Sequence, residues 1–386
     1  MSVKMKTVKF GIIGLGLMGR EFGSAVSRWC HLTDIDCRPE IVAICDTNEA
    51  LFDWFQKSIP TIKLVTTDRK ELLADPDVEA VYCAVPHCLH EEFYTDIIKA
   101  GKHLLGEKPF GIDKKANDVI MDCIKSHPDT FVRCTSHFSF FPPMPRLGRM
   151  IEERAVGQII EVNSGFLHSA DLNPSKAINW KRMVEVNGEY GCMGDLGMHA
   201  CHMPFRAGWF PRSVRAILSN IIKERPNKDG QMVPCETWDN ATLLCDAIDP
   251  NTGELFPLTF KTQRIAPGET DTWYFEVKGT NGCGRWSAKN PRRLEILEYT
   301  GGAQAWQQID MGWEAAFKGI TGGIFEFGFC DAIQQLWAAF VYELTTGEPK
   351  SKFAACVTPD EVALSHKLFT AALKSQANGT TETVLI

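Results

Sequence analysis

The chain has 386 residues, 44% of them hydrophobic, and 48 acidic against 41 basic side chains give a formal net charge of -7. That length exceeds one small core and falls short of many, so two domains are expected. Charges of both signs are interspersed with no long block of either, which excludes an electrostatic footprint for nucleic acid or an anionic membrane and points to small-molecule chemistry.

The fourteen cysteines are scattered without C-x-x-C spacing, and several fall in apolar runs such as Ile44-Cys45 and Tyr82-Cys83, so they read as reduced, mostly buried thiols. Residues 1–9 carry several lysines and lead straight into a strand pattern, with no h-region or cleavage site. No apolar run reaches bilayer length, since 333–344 is interrupted by Gln334 and Gln335. A soluble cytoplasmic protein without membrane partners is expected.

From residue 8 to about 135, short apolar runs alternate with helix-like segments, and strands are predicted at 10–13, 41–45, 81–85, 103–105 and 131–134. This is the pattern of a parallel sheet wrapped by helices. A helix over 89–100 is closed by Gly101, which suits the left-handed position after a helix end. Beyond Pro142-Pro143 the period becomes two, as in Trp273, Phe275 and Val277, and further strands are predicted at 159–166, 214–222, 243–247, 255–263 and 293–298. Helices are predicted over 331–345 and from about Thr358, with Pro359 in the first turn. The expected architecture is an α/β Rossmann domain over 1–135, followed by an α+β domain over 136–386 with a large, mainly antiparallel sheet.

Gly14-Leu15-Gly16-Leu17-Met18-Gly19 follows a strand and opens a helix running to about Arg28, the context a G-x-G-x-x-G loop requires. Gly14 permits the tight turn, Gly16 lets backbone approach a pyrophosphate, and Gly19 allows close helix-strand packing. Leu17 and Met18, at the helix start, belong to the same expected cofactor site. Asp46 ends the second strand, where a carboxylate binds ribose hydroxyls and opposes a 2'-phosphate, so NAD is expected over NADP. Its longer than usual distance from the glycines is assigned to an insertion over 31–39. The plainer alternatives are a ligand-free glycine turn and an Asp46 that only starts a turn with Thr47 and Asn48.

Glu107-Lys108-Pro109 places a lysine at the carboxyl end of a sheet strand, where it can polarise a carbonyl or hold a hydroxyl, its direction set by Pro109, for which a cis bond is one route. Alone, the tripeptide is a common surface feature. Gly194-Asp195-Leu196-Gly197-Met198-His199 continues to Cys201 and His202, and a helix there would put Asp195, His199 and His202 on one face. Cys192, Asp195, His199 and His202 are also possible zinc ligands, but no H-E-x-x-H spacing is present and a metal-free site is expected. The plain alternative is a core helix with a satisfied histidine.

Taken together, the G-L-G-x-M-G loop, Val85-Pro86-His87 with His90, the run from Ala100 to Pro109, Trp180-Lys181, Asp195-x-Gly197-x-His199 and Val357-Thr358-Pro359-Asp360 resemble the glucose-fructose oxidoreductase, inositol dehydrogenase and rhizopine-catabolism (Gfo/Idh/MocA) family. The resemblance implies a Rossmann domain followed by an open-faced sheet domain, an active site between them, and a homodimer or homotetramer formed through the sheet. It implies Lys108 as the catalytic lysine, Asp195 and His199 as its partners, and His199 as proton acceptor. Pro86, His87, His90 and Glu107 join the cofactor site, with His90 near the nicotinamide, and Trp180 and Lys181 line the substrate pocket. One departure is the spread of Gly188, Gly191 and Gly194 where the family has G-G-G.

The implied activity is hydride transfer between a secondary alcohol of a sugar, glycoside or cyclic polyol and nicotinamide. Two other readings are an NAD-dependent glycosidase acting by transient oxidation and a non-catalytic nicotinamide-binding regulator. The full Lys108, Asp195 and His199 set favours the dehydrogenase.

Overall fold

Short, wholly apolar runs form a six-stranded parallel sheet in the computed structural model, which describes residues 5–325 and 327–385. The first four residues of the lysine-bearing 1–9 stretch lie outside the described residues. Strands β1 (Lys6–Ile13), β2 (Cys37–Cys45), β3 (Leu64–Thr66), β4 (Ala80–Cys83), β5 (His103–Gly106) and β6 (Val132–Cys134) lie in the order β3-β2-β1-β4-β5-β6. Such strands are covered on both faces, which is why β4 is buried along its whole length and reads as continuous apolar residues. The crossovers include helices α1 (Leu17–Ser27), α2 (Phe52–Ser58), α3 (Arg69–Ala74), α4 (His90–Lys99) and α5 (Lys114–Ser126). Strand order reverses between β1 and β4, the switch point at which open α/β sheets bind ligands.

Gly101 ends α4 as its sequence position suggests. Its φ is 72°, its N–H donates to Ile98 O at 2.9 Å, and the Lys102 N–H donates to Ile97 O at 3.2 Å. These two bonds satisfy carbonyls that the helix itself leaves open.

The domain division departs from the linear boundary at 135. The first compact unit comprises the residues through Gly111, Lys115–Phe141 and Gly312–Pro359, and the second comprises Ile112–Lys114, Pro142–Met311 and the residues from Asp360. Packing of the helix Phe329–Thr346 gives the reason. Its Trp337 ring lies 4.1 Å from Phe22 of α1 and 4.5 Å from Tyr82 of β4, and its Phe340 lies 5.9 Å from Phe10 of β1. Gln334 and Gln335, which interrupt the apolar run, are both buried. The Gln334 amide donates to Ala25 O at 3.2 Å and Arg28 O at 2.8 Å, satisfying carbonyls at the end of α1. Gln335 accepts from Phe317 N at 2.7 Å and donates to Phe317 O at 2.8 Å. The 31–39 insertion is anchored by the same returning segment, with Ile320 N donating to His31 O at 2.9 Å and Thr33 N to Lys318 O at 2.8 Å.

The second unit carries the period-two segments. Its nine-stranded sheet contains β7 (Ile159–Leu167), β8 (Pro211–Ser219), β11 (Asn240–Ile248), β12 (Leu255–Gln263), β13 (Thr272–Gly279), β14 (Gly282–Ser287), β15 (Arg293–Glu298), β16 (Gln307–Asp310) and β17 (Glu382–Thr383). A separate hairpin pairs β9 (Glu224–Pro226) with β10 (Met232–Pro234). The sheet order is β16-β15-β14-β13-β7-β12-β11-β8-β17. All its neighbours are antiparallel except β7 and β12. One face is buried, as Ala241, Leu243, Cys245 and Ala247 of β11 show. Helices α6 (Pro143–Glu152) and α8 (Met198–Arg206) pack on the sheet, and α7 (Val184–Asn187) is a single short turn between them.

The Trp337 contacts tie a late segment of the chain to the Rossmann core. Trp337→Ala is therefore expected to destabilise the protein by about 3–5 kcal/mol through loss of buried aromatic surface and the cavity left behind. Urea unfolding followed by circular dichroism measures the change.

Candidate active site

The glycine loop connects β1 to α1, and its geometry assigns each glycine a separate task. Gly14 has φ 94°, and a Cβ there would stand 2.6 Å from Ala84 O. A Cβ on Gly19 would overlap the Gly14 carbonyl oxygen, whereas one on Gly16 would meet nothing within 4 Å. Gly14 and Gly19 are thus required by the turn itself, and Gly16 leaves open space. Helix α1 starts there with no side-chain cap and no acidic residue in its first turn, so its free N–H groups suit an anion. Asp46 is linked to this loop, since Oδ2 accepts the Leu15 N–H at 2.8 Å and Oδ1 accepts the Asn48 N–H at 2.8 Å. It both starts the turn with Asn48 and stands beside the loop. Leu17 is exposed and Met18 half-buried.

The carboxyl ends of β4 and β5 hold the remaining first-unit residues singled out in the sequence. Buried His87 and His90 follow Pro86, and their rings lie 5.5 Å apart. His90 Nδ1 accepts the Gly111 N–H at 3.4 Å, which makes Nε2 the donor to Val85 O at 3.0 Å. The ring also stacks on Tyr94 at 4.6 Å. With both nitrogens engaged, His90 joins the segment after β4 to the segment after β5. Buried Glu107 accepts from Tyr82 Oη at 2.8 Å, and its carbonyl accepts from Tyr94 Oη at 2.7 Å. Lys108 is half-buried, and its bond to Pro109 is cis.

In the second unit, Asp195 lies in a π-helical turn, Met193–Gly197, that leads into α8. Such turns carry an extra residue and recur at functional sites. Two cations approach the buried Asp195 carboxylate: Lys181 Nζ and Arg264 Nη2 each lie 3.0 Å from Oδ2. Lys181 belongs to the short turn Trp180–Arg182, which is capped by Asn179, whose Oδ1 accepts the Lys181 N–H at 3.0 Å. The Lys181 carbonyl accepts from Thr237 Oγ1 at 2.8 Å. Its neighbour Arg182 points elsewhere, pairing with Asp171 at 3.0 Å and with Asp239. The ammonium of Lys181 also lies 5.8 Å from the Trp180 ring centroid.

Asp195, His199 and His202, which the sequence groups on one face, have different described partners. His199 lies on α8 with its ring edge-on to Phe166 at 5.5 Å, and its carbonyl accepts from Trp273 Nε1 at 3.0 Å. His202 instead approaches Glu361 of the closing helix Pro359–Asn378, Nδ1 to Oε1 at 3.4 Å. Arg206 completes that group with bonds of 2.8 and 2.7 Å to the two Glu361 oxygens. Asp195 and His202 thus meet charged partners on different segments of the chain. Among the described residues, no group of three or more His, Cys, Asp or Glu side chains is arranged to hold a metal ion. Arg264 and Glu361 are absent from the sequence reading: single charged residues outside any motif gave no local signal.

Comparison with known proteins bears on both units. Residues 8–132 match the Gfo/Idh/MocA family model, described as an oxidoreductase family with an NAD-binding Rossmann fold. Levoglucosan dehydrogenase of Pseudarthrobacter phenanthrenivorans is 26% identical over 288 residues, 72% of this chain and 73% of that protein. Inositol 2-dehydrogenase of Agrobacterium fabrum is 26% identical over 169 residues, 44% of this chain and 47% of that protein. A solved levoglucosan dehydrogenase in complex with NADH and L-sorbose has a TM-score of 0.85 at 22% identity, covering 99% of this chain and 100% of that one. That likeness shows the shared fold.

Two outcomes test this geometry. Gly19→Ala forces a methyl group against the Gly14 carbonyl. Overpacking of this kind costs about 1–3 kcal/mol, so NADH affinity measured by fluorescence titration is expected to fall roughly five- to hundredfold if the cost falls on the binding loop. Burial raises the Glu361 carboxyl, but His202 and Arg206 outweigh it and hold the group well below its ordinary value of 4.5. Stability from this depressed carboxyl is present above pH 4.5 and lost as pH falls toward the folded value. Glu361→Gln is therefore expected to cost about 3 kcal/mol near neutrality, with the gap to the unaltered protein closing in acid when unfolding is followed against pH.

Proposed function

We propose that this chain, whose NAD-binding Rossmann unit belongs to the Gfo/Idh/MocA oxidoreductase family, is an NAD-dependent dehydrogenase that oxidises a secondary alcohol of a sugar or cyclic polyol, or reduces the matching ketone. The observation that carries the substrate class is the half-exposed Lys181 ammonium on the buried Asp195 carboxylate. An acceptor and a set of rotatable donors side by side complement adjacent hydroxyl groups, each of which both donates and accepts. The names of the levoglucosan and inositol dehydrogenases support the same class.

The open space at Gly16 and the uncapped start of α1 fit a dinucleotide. Gly14, Gly16, Leu17, Met18 and Gly19 would hold its pyrophosphate and Asp46 its ribose hydroxyls, while Pro86, His87, Glu107 and Lys108 would border the nicotinamide end. His90 supports that border by tying Val85 to Gly111. When bound, NAD supplies the hydride acceptor.

This chain's residues supply the proton chemistry. The His199 imidazole removes the hydroxyl proton, which becomes acidic as the alcohol carbon loses electron density. The Lys108 ammonium stabilises alkoxide character on the oxygen. Asp195 and Lys181 orient the neighbouring hydroxyls. We also place a homo-oligomer contact on the sheet face opposite the helices, where Ile217, Leu244 and Leu255 are exposed.

A panel of monosaccharides, anhydrosugars, inositols and glycosides, assayed for NADH formation, tests the class; no turnover across the panel would overturn it. NAD is expected to be preferred over NADP, and Asp46→Ala should narrow the preference. Equal efficiency with NADP in the unaltered protein contradicts that assignment. His199→Ala and Lys108→Ala are each expected to lower turnover at least about 10²-fold while NADH binding persists. The double variant should lose less than the product of the two, since both act on one proton transfer. Near-normal turnover in folded His199→Ala would remove His199 as the base.

A further inference from the structure

Asp195 carries both cations on one oxygen, but the two differ in setting. The Lys181 side chain is 40% exposed and that of Arg264 4%. Arg264 directly follows β12, and its main chain is held on both sides: its N–H donates to Asp239 O at 2.9 Å, and its carbonyl accepts from Asp171 N at 3.2 Å. Its guanidinium reaches Asn187 Oδ1 at 3.5 Å, while its buried Nε has no hydrogen-bond partner among the described residues. A buried donor left open costs stability that an apolar side chain of similar size would avoid. What Arg264 supplies in return is a fixed positive charge beside Asp195.

The other charges in this region are already matched. Arg182 is engaged by Asp171 and Asp239, Lys176 pairs with Asp171 at 3.0 Å, and His168 beyond β7 lies 3.3 Å from Asp271. On α8, His202 and Arg206 face Glu361. The Cys192 thiol is pushed up by burial to about 11 and stays neutral. The adjoining helix also bears His199, four residues along from Asp195, and Cys201, whose thiol burial pushes well above its ordinary value. Lys181 and Arg264 are the two cations described against the Asp195 carboxylate, each 3.0 Å from Oδ2.

We propose that Arg264 is a positioning residue of the dehydrogenase: it keeps Asp195 ionised and oriented, so that Lys181 can turn from the carboxylate to a substrate hydroxyl. The proposal rests on the dehydrogenase reading above. Were Lys181 the sole partner, each such turn would strip a buried carboxylate of its counter-charge and drive it to take up a proton. With Arg264 locked in place, the flexible lysine becomes exchangeable and the carboxylate remains an acceptor for the substrate.

Two measurements test this, one of them independent of any substrate. In urea unfolding, Arg264→Gln is expected to destabilise the protein, and Asp195→Asn added to it should recover part of the loss by removing the orphaned charge. Failure of Arg264→Gln to fold, with recovery in the double variant, has the same meaning. Additive losses, or failure of both to fold, overturn the proposal whatever the activity. In steady-state kinetics, Arg264→Gln is expected to lower kcat/KM roughly tenfold or more and to move the acidic limb of its pH profile up by about one unit, with Arg264→Lys retaining most activity and the original limb. Lys181→Met should instead raise KM without moving that limb. An unmoved limb in folded Arg264→Gln, with activity within about twofold of the unaltered protein, overturns the role. Absence of NADH formation by the unaltered protein overturns the dehydrogenase reading, and the unfolding comparison still decides whether Arg264 compensates Asp195.

Discussion

An ionised carboxylate 2% exposed, as Asp195 is, persists only beside fixed positive charge, because the energy of removing it from water exceeds any single surface interaction. Much of the second unit around it is arranged accordingly. The Trp180–Arg182 turn sends consecutive cations in two directions, Lys181 to Asp195 and Arg182 to Asp171 and Asp239. The end of β12 contributes Arg264, and the hairpin strand β9 contributes buried Arg225, which donates to the Asp171 and Asn173 carbonyls. Asp195 and Asp171 are each compensated by two cations, and Arg182 by two carboxylates.

The first unit solves a different problem. A parallel sheet buried on both faces exposes its chemistry only at the strand ends, and the residues proposed to border the cofactor accordingly follow β1, β2, β4 and β5. The hydrogen bonds of Asp46 to Leu15, and of His90 to Val85 and Gly111, join loops that the topology brings side by side. The Phe329–Thr346 helix supports the same sheet from behind, its Trp337 ring tilted against Phe22 and edge-on to Tyr82. Preorganisation of a loop of this kind lowers the entropy lost when a ligand orders it.

The chemistry divides between the units in the same way. The proposed nucleotide site is built from backbone N–H groups and one carboxylate, which local turn geometry provides. The proposed hydroxyl site is built from paired ions whose partners come from distant segments. The π-helical turn at Met193–Gly197 connects the Asp195 carboxylate to the helix that bears His199, so the positions of the two side chains are set by one continuous backbone element.

Features whose cause lies within a few residues are legible in the chain alone. Gly14 and Gly19 are legible because a Cβ at either would strike neighbouring backbone, and Gly101 because a helix end needs a left-handed residue. The change from continuous apolar runs to period two is legible because a sheet buried on two faces and one buried on one face require different patterns. The partners of charged and aromatic side chains follow only from the folded chain. Arg264 and Glu361 carry no motif, and their importance arises only when β12 and the closing helix arrive beside Asp195 and His202. The membership of Gly312–Pro359 in the first unit is of the same kind, since Trp337 finds its contacts on α1 and β4. Backbone requirements are local and leave a mark in the residue types, whereas a charge or an aromatic ring acts on whatever the fold brings within a few ångströms of it.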